Sequence, residues 1–139
     1  MATTREHVLP VRVYLEDTDA QGLVYHANYL RFFERARSEI LDAVGYPMYD
    51  IAGGSHRFVV YEMKIRYRQP ARLGDHLQIR TQVKRSSGYR VTFRQEATKA
   101  GESAALVTAD VEVVSLDETG KLLELPSALS PLFEPDPQA

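Results

Sequence analysis

One run of apolar residues at three- and four-residue steps stands in a chain whose other apolar residues mostly alternate singly. From Asn28 onward, Tyr29, Phe33, Ala36, Ile40 and Val44 recur at that spacing, and Leu30 and Leu41 widen the stripe. This period predicts a helix with one apolar face, and that face needs a partner to lie on. Asn28 is expected as its N-cap, and Gly45 followed by Pro47 marks the exit. Arg31, Glu34, Arg35, Arg37 and Glu39 make the other side polar. Arg35 and Glu39 are four apart and are expected to pair, for a few tenths of a kcal/mol.

The partner is a sheet. Before the helix, Val11, Val13 and Leu15 alternate with Arg12, Tyr14 and Glu16. After a loop from Tyr46 to His56 containing Gly53-Gly54, four more strand-like runs follow. The first sets Val59, Tyr61, Met63, Ile65 and Tyr67 on one face and stops at Pro70. The second carries Leu77, Ile79, Thr81 and Val83. Ser86-Ser87-Gly88 signals a hairpin into Tyr89, Val91, Phe93 and Ala97. The last run, about Ala104 to Leu116, is apolar on both faces through much of its length, which argues for a central position. Pro126 to Ala139 reads as a cap or a loose tail. Strand, long helix, then four antiparallel strands fit an α+β fold: a curled five-stranded sheet around one central helix, its outer face or edge free for self-association.

At 139 residues the chain is expected to be one domain over residues 1–139, with about 1–8 and 131–139 as loose termini. A net charge of −2 gives no electrostatic footprint for nucleic acid. With no cysteine, thiolate chemistry and disulfides are excluded. No run approaches membrane-spanning length and the start is not a signal peptide, so a cytoplasmic location is expected.

The turn between first strand and helix, E-D-T-D-A-Q-G-L-V-Y-H, is where chemistry is expected. A helix N-terminus offers free N–H groups to a polarised carbonyl, and a neighbouring carboxylate attacks it or activates water. On spacing alone Asp19 reads first as an ordinary turn or capping carboxylate. Asp17 reads as structural, holding the turn. Glu34, near Arg31 and Arg37, reads first as an ion-pair partner. There is no G-x-S-x-G elbow, and Ser55 in Gly53-Gly54-Ser55-His56 lacks the context of a nucleophile. His7, His26, His56 and His76 are scattered without ligand-like spacing, so no metal is expected.

The run E-D-T-D-A-Q-G-L-V-Y-H-A-N-Y-L-R-F-F-E-R-A-R-S-E resembles the signature of hotdog-fold acyl-CoA thioesterases. The resemblance is to the YbgC-like, Tol–Pal-associated branch of the 4-hydroxybenzoyl-CoA thioesterase family. It extends to P-V-R-V-Y and R-Q-P-A-R-L and so spans nearly the whole chain. It implies a hotdog fold and hydrolysis of an acyl-CoA without metal or organic cofactor. It also implies a homodimer or homotetramer with interfacial sites, and an acyl carrier protein as a further partner. The acting carboxylate falls on Asp19, as nucleophile or general base. The oxyanion donor falls on the backbone N–H of His26, with Tyr25 adjoining. Gln21 departs from the small residue expected there. Coenzyme A phosphates call for Lys or Arg, for which Lys84, Arg85 and Arg90 are the candidates, then Arg66 and Arg68. Two other readings stay open: a non-catalytic module of the same fold that binds acyl-CoA or an acyl carrier protein, and a hotdog hydratase-dehydratase. The Asp/His or Glu/His arrangement of that last branch finds no match here.

Overall fold

The computed structural model describes residues 5–46 and 56–134. Five strands, β1 (Glu6–Arg12), β2 (Arg57–Tyr67), β3 (His76–Arg85), β4 (Arg90–Lys99) and β5 (Ala105–Leu116), form one sheet in the order β1-β3-β4-β5-β2. Every pairing is antiparallel. The helix α1, Asn28–Ala43, connects the two edge strands and lies on the sheet's inner face. This is the five-stranded antiparallel sheet with one helix against it that the order of elements predicts and the hotdog fold that the resemblance implies, and β5 is interior as its two apolar faces require.

The helix buries Tyr29, Phe32, Phe33, Ala36, Ile40 and Leu41. Phe32 and Phe33 are fully covered, each contributing roughly 1.5–3 kcal/mol by leaving water. Phe32 widens the expected stripe, while Leu30 stays 40% exposed. Across from them the inner face presents Leu77, Ile79, Val83, Phe93, Val107 and Val111. One inner position is polar. Gln95, wholly buried, donates to the Phe33 carbonyl (3.0 Å) and the Thr81 hydroxyl (3.0 Å), and it accepts from Arg37 (3.0 Å).

Several local expectations are corrected. Leu15 is not a strand residue: the chain turns into a 3-10 turn, Leu15–Asp17, and Leu15 is 75% exposed, so the inward set ends at Val13. In β2 a bulge between Val60 and Glu62 shifts the alternation by one. Phe58 and Val60 therefore face inward together with Met63 and Ile65, and Val59 and Tyr61 do not share their face. Asn28 is the first helical residue, preceded by Ala27 at the cap, and its side chain is drawn away to Asp17. Arg35 forms no ion pair with Glu39; its guanidinium lies over the Phe32 ring at 5.7 Å. Glu34 likewise makes no contact ion pair among the described residues, and Arg37 turns inward to Gln95.

The ends are tighter than expected. Glu6 to Val8 already pair with Gln82 to Arg80 in β3. A 3-10 segment, Ser127–Phe133, buries Leu129 and Leu132 and so acts as a cap through Leu132. The helix exit at Gly45 holds: its φ of +80° ends the helix, and Tyr46 N–H returns to Leu41 C=O at 2.9 Å. Pro47, Gly53-Gly54 and Ser55 lie outside the described residues.

Candidate active site

The acidic stretch folds as a small two-rung ladder ending on the helix. Tyr25 N–H donates to the Asp17 carbonyl (2.9 Å), Thr18 bridges Val24, and Asp19 N–H donates to the Leu23 carbonyl (2.8 Å). Gly22, at φ +78°, closes the tip by donating to the Asp19 carbonyl (3.1 Å). Only glycine takes that backbone region cheaply.

The two aspartates of D-T-D meet different surroundings. Asp17 is buried, and both its oxygens are used: Oδ2 accepts Tyr14 N–H (2.8 Å) and Oδ1 accepts the Asn28 amide (3.0 Å). It ties the end of β1 to the first turn of α1, the structural role expected of it. Asp19 sits half-exposed at the tip. Its Oδ1 accepts Gln21 N–H (2.8 Å) and, more weakly, Leu23 N–H (3.4 Å), while Oδ2 receives no hydrogen bond among the described residues. Gln21 contributes only the backbone N–H that any residue except proline supplies.

At the helix start, the N–H groups of His26 and Ala27 donate to nothing among the described residues. The carbonyls beside them are pinned. Tyr25 C=O accepts Asn28 N–H (2.8 Å), and His26 C=O accepts the Tyr67 hydroxyl (2.8 Å). The His26 side chain is exposed, in ring contact with Tyr25 (4.7 Å) and Tyr67 (6.2 Å). Partial burial raises the Tyr67 phenol above its ordinary value, so its hydroxyl stays a donor at neutral pH. Tyr67 escaped the sequence reading as a site residue. It marks the end of an alternating strand, but nothing in the sequence says that this end crosses the helix start.

The basic candidates are not brought to Asp19 within one chain. Lys84 and Arg85 end β3, whose first residue follows the Asp75 loop beside the acidic turn; ten strand residues, about 30 Å, separate the two ends. Arg85 Nε folds back onto the Ser87 carbonyl (3.2 Å), and Arg90 lies over the Tyr61 ring (5.6 Å) near Glu112 (3.8 Å). Arg66 and Arg68 flank Tyr67 and so sit at the His26 end of β2. Among the described residues, no three or more His, Cys, Asp or Glu side chains gather where they would hold a metal ion.

Five open clefts among the described residues are lined without Asp19. The most apolar, about 260 Å³, opens between the second half of α1 and the Phe58 end of β2. Leu41, Val60, Phe93 and Leu129 wall it, and Glu34 and Arg37 stand at its polar side. Burial lowers the Arg37 guanidinium from its ordinary value, with Glu34 opposing that shift.

Comparisons with known proteins identify the family and agree with the fold. The family profile described as Thioesterase-like superfamily matches residues 13–133. The "Acyl-CoA thioester hydrolase YbgC" of Escherichia coli O6:H1 is 44% identical over 108 residues, covering 78% of this chain and 80% of that protein. The "Acyl-CoA thioesterase YbgC" of Haemophilus influenzae is 40% identical over 109 residues, with 78% and 79% covered. Among solved structures, a probable thioesterase from Bartonella henselae superposes with a TM-score of 0.80 at 41% identity, covering 88% of this chain and all of that one. With a profile spanning nearly its whole length and relatives this similar, the chain belongs to the thioesterase-like superfamily, in company with its YbgC members.

Proposed function

We propose that this chain hydrolyses acyl-CoA thioesters, with Asp19 as the acting carboxylate and the helix-start N–H groups as oxyanion donors. The observation that carries the reading is that, among the described residues, Oδ2 of Asp19 accepts no hydrogen bond and the ladder it stands on leads to two amides, His26 and Ala27, that donate none. Two routes balance. In one, Oδ2 attacks the thioester carbonyl, the C–S bond breaks, and CoA leaves as a thiolate that takes a solvent proton. Water then opens the acyl anhydride and restores the carboxylate. In the other, Asp19 takes a proton from water as its oxygen attacks, and the departing thiolate recovers that proton. Both place negative charge on the carbonyl oxygen, where preorganised N–H donors are most effective.

Asp19 lies at the surface of one chain, so a second copy is part of the reading. The edge strand β2 supports it: eleven residues without proline, with Val59, Val60 and Tyr61 exposed by 42%, 44% and 55%. The other edge, β1, has seven residues, carries Pro10, and is flanked by the Glu6–Arg80 ion pair (2.7 Å). Those are the devices that discourage edge pairing. Antiparallel pairing of two β2 edges lays the Tyr67 end of one chain against the Arg57 end of the other. The opposite copy then supplies the Leu129 cavity for the acyl group and the Lys84, Arg85 and Arg90 hairpin for CoA phosphates.

The test is a panel of acyl-CoA and acyl-carrier-protein thioesters, followed by free thiol release, on the native protein and Asp19→Asn. Turnover by the native protein and its loss in a folded Asp19→Asn supports the assignment. Binding without turnover makes the chain a carrier module instead.

A further inference from the structure

We infer that Tyr67 is a positioning residue that aims a second oxyanion donor, the Ala27 N–H, and this rests on the hydrolase reading above. A trans peptide holds its C=O and N–H on opposite sides of one rigid plane. Fixing the oxygen therefore fixes the direction of the hydrogen. The peptide joining Tyr25 to His26 has its oxygen fixed by Asn28 N–H at 2.8 Å, which sends the His26 N–H away from the helix body. The next peptide, His26 to Ala27, has no helical N–H on its oxygen among the described residues. Its oxygen is held from outside by the Tyr67 hydroxyl at 2.8 Å, forty-one residues along the chain. The Ala27 N–H is thereby turned away from Tyr67 and left without a partner among the described residues.

The two donors belong to adjacent peptides, one oriented by the helix itself and one by β2. The Tyr67 ring is in turn set by an edge contact with the buried Tyr29 ring (5.8 Å) and by the His26 ring (6.2 Å). Tyr67 ends β2 and Arg68 N–H is bonded to the Leu106 carbonyl (2.8 Å), so the phenol hangs from a backbone fixed on both sides. A donor that is preorganised before the oxyanion forms needs no reorganisation when charge appears. Tyr67 does not touch the reacting atoms; it acts through the Ala27 peptide.

Tyr67→Phe removes the hydroxyl and keeps the ring packing. It is expected to lower kcat by roughly tenfold with KM unchanged, since a donor is worth on the order of 100-fold when deleted and less when only loosened. A readout independent of turnover is the amide resonance of Ala27: in Tyr67→Phe it shifts, and its hydrogen exchange quickens, while His26, held by Asn28, changes less. An unchanged Ala27 amide overturns the inference even if activity falls. An altered amide with kcat intact overturns the donor role. If the native protein turns over no thioester, the hydrolase reading fails, and the amide comparison still decides whether Tyr67 orients that peptide.

Discussion

Asp19 and Asp117 open the same five-residue turn. In D-A-Q-G-L and in D-E-T-G-K the aspartate N–H donates to the fifth residue's carbonyl, at 2.8 and 2.7 Å. A glycine at positive φ, Gly22 or Gly120, donates back to the aspartate carbonyl at 3.1 Å in both. Oδ1 accepts the third residue's N–H at 2.8 Å in both, and the fifth residue's N–H at 3.4 or 3.0 Å. By its local hydrogen bonds, then, Asp19 is an ordinary turn aspartate. What differs is where each turn leads. The Asp117 turn returns to the Leu116–Leu122 bridge at the end of the sheet. The Asp19 turn runs down its ladder to a helix start with two unspent N–H groups. On the proposed reading the same turn chemistry serves packing in one place and a reaction in the other, because only the Asp19 ladder ends at a helix start.

Exchanging each carboxylate for its amide separates the two. Asparagine keeps an Oδ1 to accept the turn N–H groups, so Asp19→Asn and Asp117→Asn are both expected to fold with melting temperatures within a few degrees of native. Thiol release should fall on the order of 1,000-fold or more in Asp19→Asn and stay native in Asp117→Asn. Equal activity in the two variants would remove the distinction. The donors come next. Asn28 N–H on Tyr25 C=O closes a turn with Ala27 at φ −72°, and His26 holds its second position, where proline is favoured. His26→Pro therefore deletes one unpaired N–H at little structural cost and should lower kcat about 100- to 1,000-fold. His26→Ala keeps that N–H and should cost only a few-fold. If alanine hurts as much as proline, the imidazole rather than the amide is at work.

A third comparison stays inside the D-T-D triplet. Asp17→Ala leaves Tyr14 N–H and the Asn28 amide without their acceptor in a buried place. Such orphaned groups cost about 1–3 kcal/mol, which urea unfolding would report as a lower midpoint. A midpoint unmoved by this change would mean that the turn is not fastened through Asp17.

The period of the apolar residues made the strands, the helix and the antiparallel order legible, since burial writes itself into spacing. What it missed was local. The bulge at Tyr61 flips half of β2 without leaving a mark, because Val59, Val60 and Tyr61 are all apolar enough to suit either face. Asn28 reads as a cap by type, yet a buried carboxylate eleven residues earlier competes for its amide and wins. Leu15 continues an alternation that the 3-10 turn ends. For the site, D-T-D offered two carboxylates, and only the resemblance chose Asp19. Spacing could not reveal that Tyr67 reaches the His26 carbonyl, because that contact depends on how β2 crosses the helix.

The smallest expected effect tests what one hydroxyl adds to the Asp117 turn. Thr119 donates its hydroxyl to Asp117 Oδ1 at 2.7 Å, a bond that the Asp19 turn lacks because Gln21 stands at the matching place. That hydroxyl, followed by the Lys121 and other turn N–H groups, holds the Asp117 carboxyl below the ordinary carboxylate value. A carboxylate whose pKa is depressed by folding contributes stability above its unfolded pKa and loses it as pH falls through the folded one. Thr119→Val should therefore raise the Asp117 titration midpoint, and the turn should loosen at a higher pH during acidification. The carboxyl carbon resonance of Asp117, followed from neutral pH downward, reports the midpoint directly. Thr119 and Lys121 amide exchange reports the loosening. A midpoint identical in both proteins would assign the depression to the backbone N–H groups alone.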